Sequence, residues 1–287
     1  MAAILLEGKP VAEKIREALL AEISALMAGS GKKAKLVAIE IGENAASAVY
    51  VKNQKKAAET LGIEYELKAL PADVPQGKAE DIIKELNADD SVTAIILQFP
   101  VPKSINANKL INKISPEKDA EGVHPRNMGN ILSGNYRIGP CTAMAVMELL
   151  RSSGVDLYGK EAVVVGHSDI VGKPLALMLL NKFVTTCVCH IATGERGNLS
   201  EHVKRAELLI VAVGKAGLIK GEWIREGAIV IDVGINRVGE KLVGDVEFDK
   251  AAKAASMITP VPGGVGPLTT TMLMRNVVEL FKNQHSE

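Results

Sequence analysis

The chain has 287 residues, 47% of them hydrophobic, enough for one large domain or two smaller ones with substantial cores. Its 34 basic and 34 acidic residues balance, and only 3% are aromatic, so neither a nucleic-acid partner nor an anionic membrane is implied. No apolar run is long enough to span a bilayer, and the amino end lacks the basic start and long apolar core of a signal peptide. A cytoplasmic protein is expected.

Residues 10–26 carry Val11, Ile15, Leu19, Leu20 and Ile23 at helical spacing. Leu36–Ile41 reads as a buried strand, and 45–61 as a helix stopped by Gly62. Strand spacing returns over 63–70, helix over 79–86, and an apolar strand over 92–97. This βαβαβ alternation predicts a mostly parallel sheet. Residues 114–136 are polar and irregular, and mark the passage to a second domain. Beyond them come a helix at 143–150, a strand at 161–165 and a helix at 173–180. Strands follow at 185–189, 208–213, 228–233 and 257–259, then a last helix at 267–281.

Cys141, Cys187 and Cys189 are the three cysteines. Cys187 and Cys189, with one residue between them in a strand, are expected on opposite faces as buried thiols, and the spacing suits neither a zinc knuckle nor a redox pair. No metal site is expected.

Two stretches carry chemistry. Gly166-His-Ser-Asp-Ile-Val-Gly172 joins a strand to a helix. A tight turn there aims helix N-terminal N–H groups at an anion such as a pyrophosphate, although Ser168 fills the second glycine position of the usual fingerprint, and glycine turns also serve pure packing. Thr259-Pro-Val-Pro-Gly-Gly-Val-Gly-Pro267 crowds glycines and prolines into one connection. Its glycines let a flat ligand approach the backbone, and Pro267 suits the first turn of a helix. Ser47, Tyr50 and Gln54 fall at i, i+3 and i+7, on one helix face. Lys52, Lys55 and Lys56 point elsewhere at about 100° per residue.

Taken with Ser47-Ala-Val-Tyr50, Leu97-Gln-Phe-Pro100, Lys118-Asp-Ala-Glu-Gly122 and Pro140-Cys-Thr142, these stretches occur in one order along the whole chain. In that order they resemble the bifunctional methylenetetrahydrofolate dehydrogenase/methenyltetrahydrofolate cyclohydrolase family. The resemblance implies two α/β domains with a cleft between them, the second a Rossmann-like mostly parallel sheet. It implies a folate-binding catalytic domain over 1–138 plus 267–287 and a nicotinamide-cofactor domain over 139–266. Tyr50, Gln54, Gln98 and Glu121 take the catalytic positions. Ser47, Leu97, Phe99, Pro262, Gly263, Gly264, Val265 and Gly266 join Tyr50, Gln98 and Glu121 around the substrate. Thr142, Gly166, His167, Ser168, Ile170, Val171, Gly172, Lys173, His190, Ile191, Thr193, Val213, Gly214 and Ile235 take the cofactor positions. A homodimer through the cofactor domain is implied, with residues 203–213 as its candidate edge element.

The chain departs from the family at four places. Gln54 replaces the lysine of the cyclohydrolase step, and an amide carries no charge and accepts no proton. Glu121 replaces an aspartate that contacts the pterin. His167 stands where many relatives have arginine. Ile191 and Ala192 follow His190 where many NADP-using relatives have a hydroxyl or basic residue. The cofactor is therefore NADP or NAD, tilted toward NAD, because a 2′-phosphate wants charge-assisted donors.

Hydride transfer needs orientation and is driven by the folate nitrogen lone pair, whereas water attack on the methenyl carbon needs proton transfer. Dehydrogenase activity with weak or absent cyclohydrolase activity is expected. Full bifunctionality and a non-catalytic folate- or nucleotide-binding module are the alternatives. A short-chain dehydrogenase with Tyr-x-x-x-Lys is disfavoured, because Tyr50 precedes the nucleotide turn and Gln54 breaks the motif.

Overall fold

Continuous apolar runs become buried parallel strands, and the spaced apolar stripes between them become the covering helices. The computed structural model describes residues 3–43 and 45–285. In chain order the elements are β1 (Ile4–Leu5), α1 (Gly8–Ser30), β2 (Lys35–Ile41), α2 (Ala45–Thr60), β3 (Glu64–Leu70), α3 (Gln76–Ala88), β4 (Ala94–Leu97), α4 (Ala107–Ile111), α5 (Pro125–Leu132) and α6 (Cys141–Ser152). They continue with β5 (Glu161–Val165), α7 (Gly172–Leu180), β6 (Thr185–Cys189), α8 (Ile191–Glu195), α9 (Leu199–Arg205), β7 (Leu208–Val211), β8 (Ile229–Asp232), β9 (Asn236–Val238), β10 (Lys241–Val243), α10 (Phe248–Ala254), β11 (Met257–Ile258) and α11 (Gly266–His285). None of the helices is long and apolar enough to cross a membrane among the described residues.

Contacts divide the chain into two units. One holds the segment up to Glu13 with Thr142–Thr269, and the other holds Lys14–Cys141 with the chain from Thr270. The amino end thus falls outside the 1–138 expected from sequence. Ile4 pairs with Met257 and Leu5 with Ile258, in parallel, at the far side of the second-half sheet. A two-residue strand is too short to show a period, so nothing local announces it.

That sheet has six parallel strands in the order β1-β11-β8-β7-β5-β6. Val163, Val165, Leu209, Val211 and Val230 pack against Leu199 and Val203 of α9 and Ala251 of α10. All four residues of β7 are buried. Because β7 lies between β5 and β8, residues 203–213 cannot be the edge element expected for a dimer; the edges are β6 and β1.

The other unit is built on three parallel strands in the order β3-β2-β4. Val37, Ile39, Ile41, Ile95 and Leu97 meet Ile83 and Leu86 of α3 and Leu110 of α4. The stretch 114–136 is not wholly irregular, since it contains α5. His124 caps that helix by accepting from the Arg126 N–H, and Pro125 occupies its first turn. The later part of α11 is anchored in this unit. Asn276 Nδ2 donates to the carbonyls of Ala120 (2.8 Å) and Gly139 (2.9 Å), and Gln284 Nε2 to those of Thr93 and Glu117.

Candidate active site

In a parallel α/β sheet the ligand crevice opens beyond the carboxyl ends of the strands, where connections leave in opposite directions. Here β5 is flanked by β6 on one side and β7 on the other. The connections after β5, β6, β7 and β8 carry His167, Ser168, Ile170, His190, Ile191, Val213, Gly214 and Ile235, all exposed. These eight sequence-predicted cofactor residues therefore lie along the carboxyl ends of the strands of one sheet.

The turn after β5 needs its glycines. A Cβ on Gly166 would come within 2.3 Å of the Ala212 carbonyl oxygen, and one on Gly172 within 2.0 Å of the Gly166 oxygen. Close backbone approach, not only ligand clearance, demands them. Ser168 Oγ accepts from the Val171 N–H at 3.2 Å and so holds the turn from within. Lys173, exposed at the start of α7, pairs with Asp169. The His167 and His190 rings lie 5.4 Å apart, centroid to centroid. His190 begins α8, and its N–H is received by Thr193 Oγ1 at 3.3 Å. Ile191 is 77% exposed and offers no donor. Thr142, in the first turn of α6, is half-buried, while Val171 and Gly172 are buried and serve the turn's backbone.

Two buried acids missed in the sequence hold the neighbouring loops. Asp245 Oδ2 accepts from the N–H groups of Val213 (2.8 Å) and Gly214 (2.9 Å), and its Oδ1 accepts from Asn236 Nδ2. Asp232 accepts from the N–H groups of Gly234, Asp245 and Val246. Burial first, and Asp245 in addition, push the Asp232 carboxyl up to about 6. The signal was legible: a carboxylate that closes the apolar run Ile229–Ile231 must find donors.

The loop at 259–266 belongs to the same unit. Gly8 N–H donates to the Gly263 carbonyl at 2.8 Å, and a Cβ on Gly264 would meet Thr259 Cβ at 2.6 Å. Gly264 is thus required for packing. Pro262 is exposed, Gly263 and Gly266 half-buried, and Val265 buried.

In the other unit, Gln54 of α2 is only 8% exposed. Its Oε1 accepts from Gln98 Nε2 (2.9 Å) and from the Tyr65 hydroxyl (3.0 Å), and its Nε2 reaches Gln98 Oε1 at 3.4 Å. Gln98 follows β4, so α2, β3 and β4 meet at this amide pair. Burial, then Glu40, raise the Tyr65 hydroxyl well above its usual range. Ser47 is buried and donates to Glu40 Oε1. Tyr50, on the flank of the same face, is 53% exposed, and Lys52, Lys55 and Lys56 are exposed. Phe99 is exposed, but Leu97 packs into the core, so its side chain contributes support and not a contact surface.

Glu121 is one of three titratable groups, with Asp119 and Cys141, that cluster in this unit. Burial first, then Asp119, push its carboxyl up to about 7. Asp119 accepts from the N–H groups of Gly122 and His124 and from Asn127 Nδ2, with burial still raising it. The neighbouring Cys141 thiol is buried and pushed well up, first by burial and then by Glu121, so it stays protonated. Asn276 braces Ala120 and Gly139 on either side of this cluster.

Comparison with known proteins places the whole chain in one family. The catalytic-domain model of tetrahydrofolate dehydrogenase/cyclohydrolase matches residues 6–121, and its NAD(P)-binding-domain model matches 140–285. This chain belongs to the tetrahydrofolate dehydrogenase/cyclohydrolase family. It is 48% identical over 281 residues to the bifunctional protein FolD of Geotalea uraniireducens, covering 98% of this chain and 99% of that one. The crystal structure of the bifunctional FolD enzyme from Campylobacter jejuni superposes with a TM-score of 0.94 at 43% identity, covering 98% of this chain and 99% of that one. The Trypanosoma brucei enzyme, solved with NADP and an inhibitor, superposes with a TM-score of 0.95 at 40% identity over the whole of both chains.

One expectation is overturned at the cofactor sheet. Cys187 and Cys189 do not face opposite ways. Their sulfurs and a ring nitrogen of His202 all lie within 4.8 Å of one another. Residues i and i+2 of a strand share a face, and α9 brings the histidine over that face.

Proposed function

We propose that this chain oxidises 5,10-methylenetetrahydrofolate by hydride transfer to a nicotinamide dinucleotide and hydrolyses the resulting methenyl compound to 10-formyltetrahydrofolate. The full-length likeness to relatives named bifunctional carries this reading. It also weighs against the weak or absent cyclohydrolase expected from Gln54 alone. In the dehydrogenase step, residues 166–173, His190 and Gly214 hold the dinucleotide, and Tyr50 and Gln98 contact the folate. No protein base is required, because the folate nitrogen supplies the electrons. In the cyclohydrolase step a proton must leave the attacking water. Glu121, poised near neutrality, suits that transfer.

A second reading has one observation in its favour. Gln54 is locked in an amide pair with Gln98 and Tyr65, and none of the three takes a proton near neutral pH. On that reading the second step is slow and the protein is chiefly a dehydrogenase. Cofactor reduction and decay of methenyl absorbance, followed in one preparation, separate the two. Equal rates support the pair of activities, and accumulation of the methenyl compound supports the dehydrogenase alone.

The cofactor proposed is NAD over NADP, on the exposed Ile191 and the adjacent Ala192, although the Trypanosoma relative was solved with NADP. A tenfold or greater preference for NADP overturns that choice and assigns the 2′-phosphate to His167, Lys173 or Arg196. A cytoplasmic homodimer is also proposed, now through the sheet edge β6, whose outer side has no neighbouring strand among the described residues. A monomer in sedimentation at micromolar concentration refutes the dimer.

A further inference from the structure

The hydride-transfer chemistry uses neither Cys187, Cys189 nor His202. We propose that these three side chains form a binding site for a thiophilic metal ion of the zinc(II) type. The two cysteines project from the same face of β6, and α9 packs across β5 and β6 with His202 above them. Zinc bonds of about 2.3 Å to sulfur and about 2.0 Å to nitrogen, at a tetrahedral angle, put ligand atoms about 3.5 Å apart for S···N and about 3.8 Å for S···S. The Cys187 sulfur is 3.5 Å from His202 Nδ1. Every other separation is at most 4.8 Å, so closing the site requires movement of about 1 Å, within the reach of side-chain rotation.

Access and charge fit the same ion. Cys189 is 1% exposed, while Cys187 and His202 are half-buried, so an ion enters from their side and keeps its fourth position for water. Arg205 places Nη2 3.2 Å from His202 Nδ1 and pairs through Nε with Glu161 at 2.8 Å. Binding displaces the contact to Nδ1 and leaves the pair with Glu161. Two thiolates neutralise a divalent ion, so the retained guanidinium faces no net positive charge; the two thiol protons are released to solvent. Cys189 directly precedes His190, the start of α8, so the ion would tie the end of β6 to α9 beside the proposed cofactor segment.

The reduced, chelator-stripped full-length protein is titrated with cobalt(II), then zinc(II). One equivalent of cobalt should produce a thiolate-to-cobalt charge-transfer band and tetrahedral ligand-field bands, both abolished by zinc. Cys187→Ser, Cys189→Ala and His202→Ala should each weaken binding on the order of tenfold or more, while Cys141→Ser leaves it intact. Alkylation of the wild type, mapped by mass spectrometry, should show Cys187 protected by zinc, a readout that needs no variant to fold. Absence of the charge-transfer band, bands that survive the Cys187 and Cys189 substitutions, or unprotected Cys187 at saturating zinc would each overturn the site.

Discussion

Glu121→Gln should stabilise the protein above neutral pH while slowing one of its two reactions. The Glu121 carboxyl rises from 4.5 to about 7, mainly through burial and secondarily through Asp119. Between those values the folded protein holds a proton that the unfolded chain has released, so stability falls as pH rises through that window. Above about 7 the full cost applies, and at 1.36 kcal/mol per decade of proton affinity it reaches about 3 kcal/mol. Glutamine has the shape of the protonated acid and no charge to desolvate. Urea unfolding at pH 5 should therefore find variant and wild type within about 1 kcal/mol, and at pH 8 the variant more stable by about 3 kcal/mol. Asp232, raised from 3.8 to about 6, gives the variant a residual slope of the same sign between those values. In the same preparation, cyclohydrolase turnover should drop by about 10²–10⁴-fold, with dehydrogenase kcat largely retained. Identical pH slopes in the two proteins would refute the buried-carboxyl argument, and a parallel loss of both activities would refute the role of Glu121 in proton transfer.

Gln54→Lys should raise methenyl hydrolysis by up to about 10²-fold if the amide limits that step. The change removes the acceptor of Gln98 Nε2 and Tyr65 Oη, so a stability loss of about 1–3 kcal/mol should accompany it; no gain in rate shows that Gln54 is not limiting. Ile191→Arg should improve kcat/KM for NADP by about tenfold, about 1.4 kcal/mol, with little change for NAD; steady-state kinetics with both cofactors decides it. Asp245→Ala leaves the Val213 and Gly214 N–H groups without their acceptor and should cost about 2–3 kcal/mol in unfolding while raising KM for the dinucleotide. An unchanged KM would show that this loop does not meet the cofactor.

Periodicity and turn chemistry made the helices and strands legible wherever a run was long. The apolar runs in β2 and β7, the alternation through β3 and the glycine turn at 166–172 announced themselves, because local sterics and burial leave few alternatives. Most of the residues that the family resemblance assigns to the cofactor lie in the connections that follow β5, β6, β7 and β8. Short or non-local features were not legible. β1 is two residues long and finds its partner more than 250 positions away. That β7 is interior and β6 an edge depends on strand order, to which no single segment responds. The donors met by Asp245 and Asp119, the lock between Gln54 and Gln98, and the meeting of Cys187 and Cys189 with His202 arise only when separate elements are packed together. A side chain's residue type and spacing set what it can do chemically; which groups stand within 3 Å of it, and how little water reaches it, is decided by the tertiary structure.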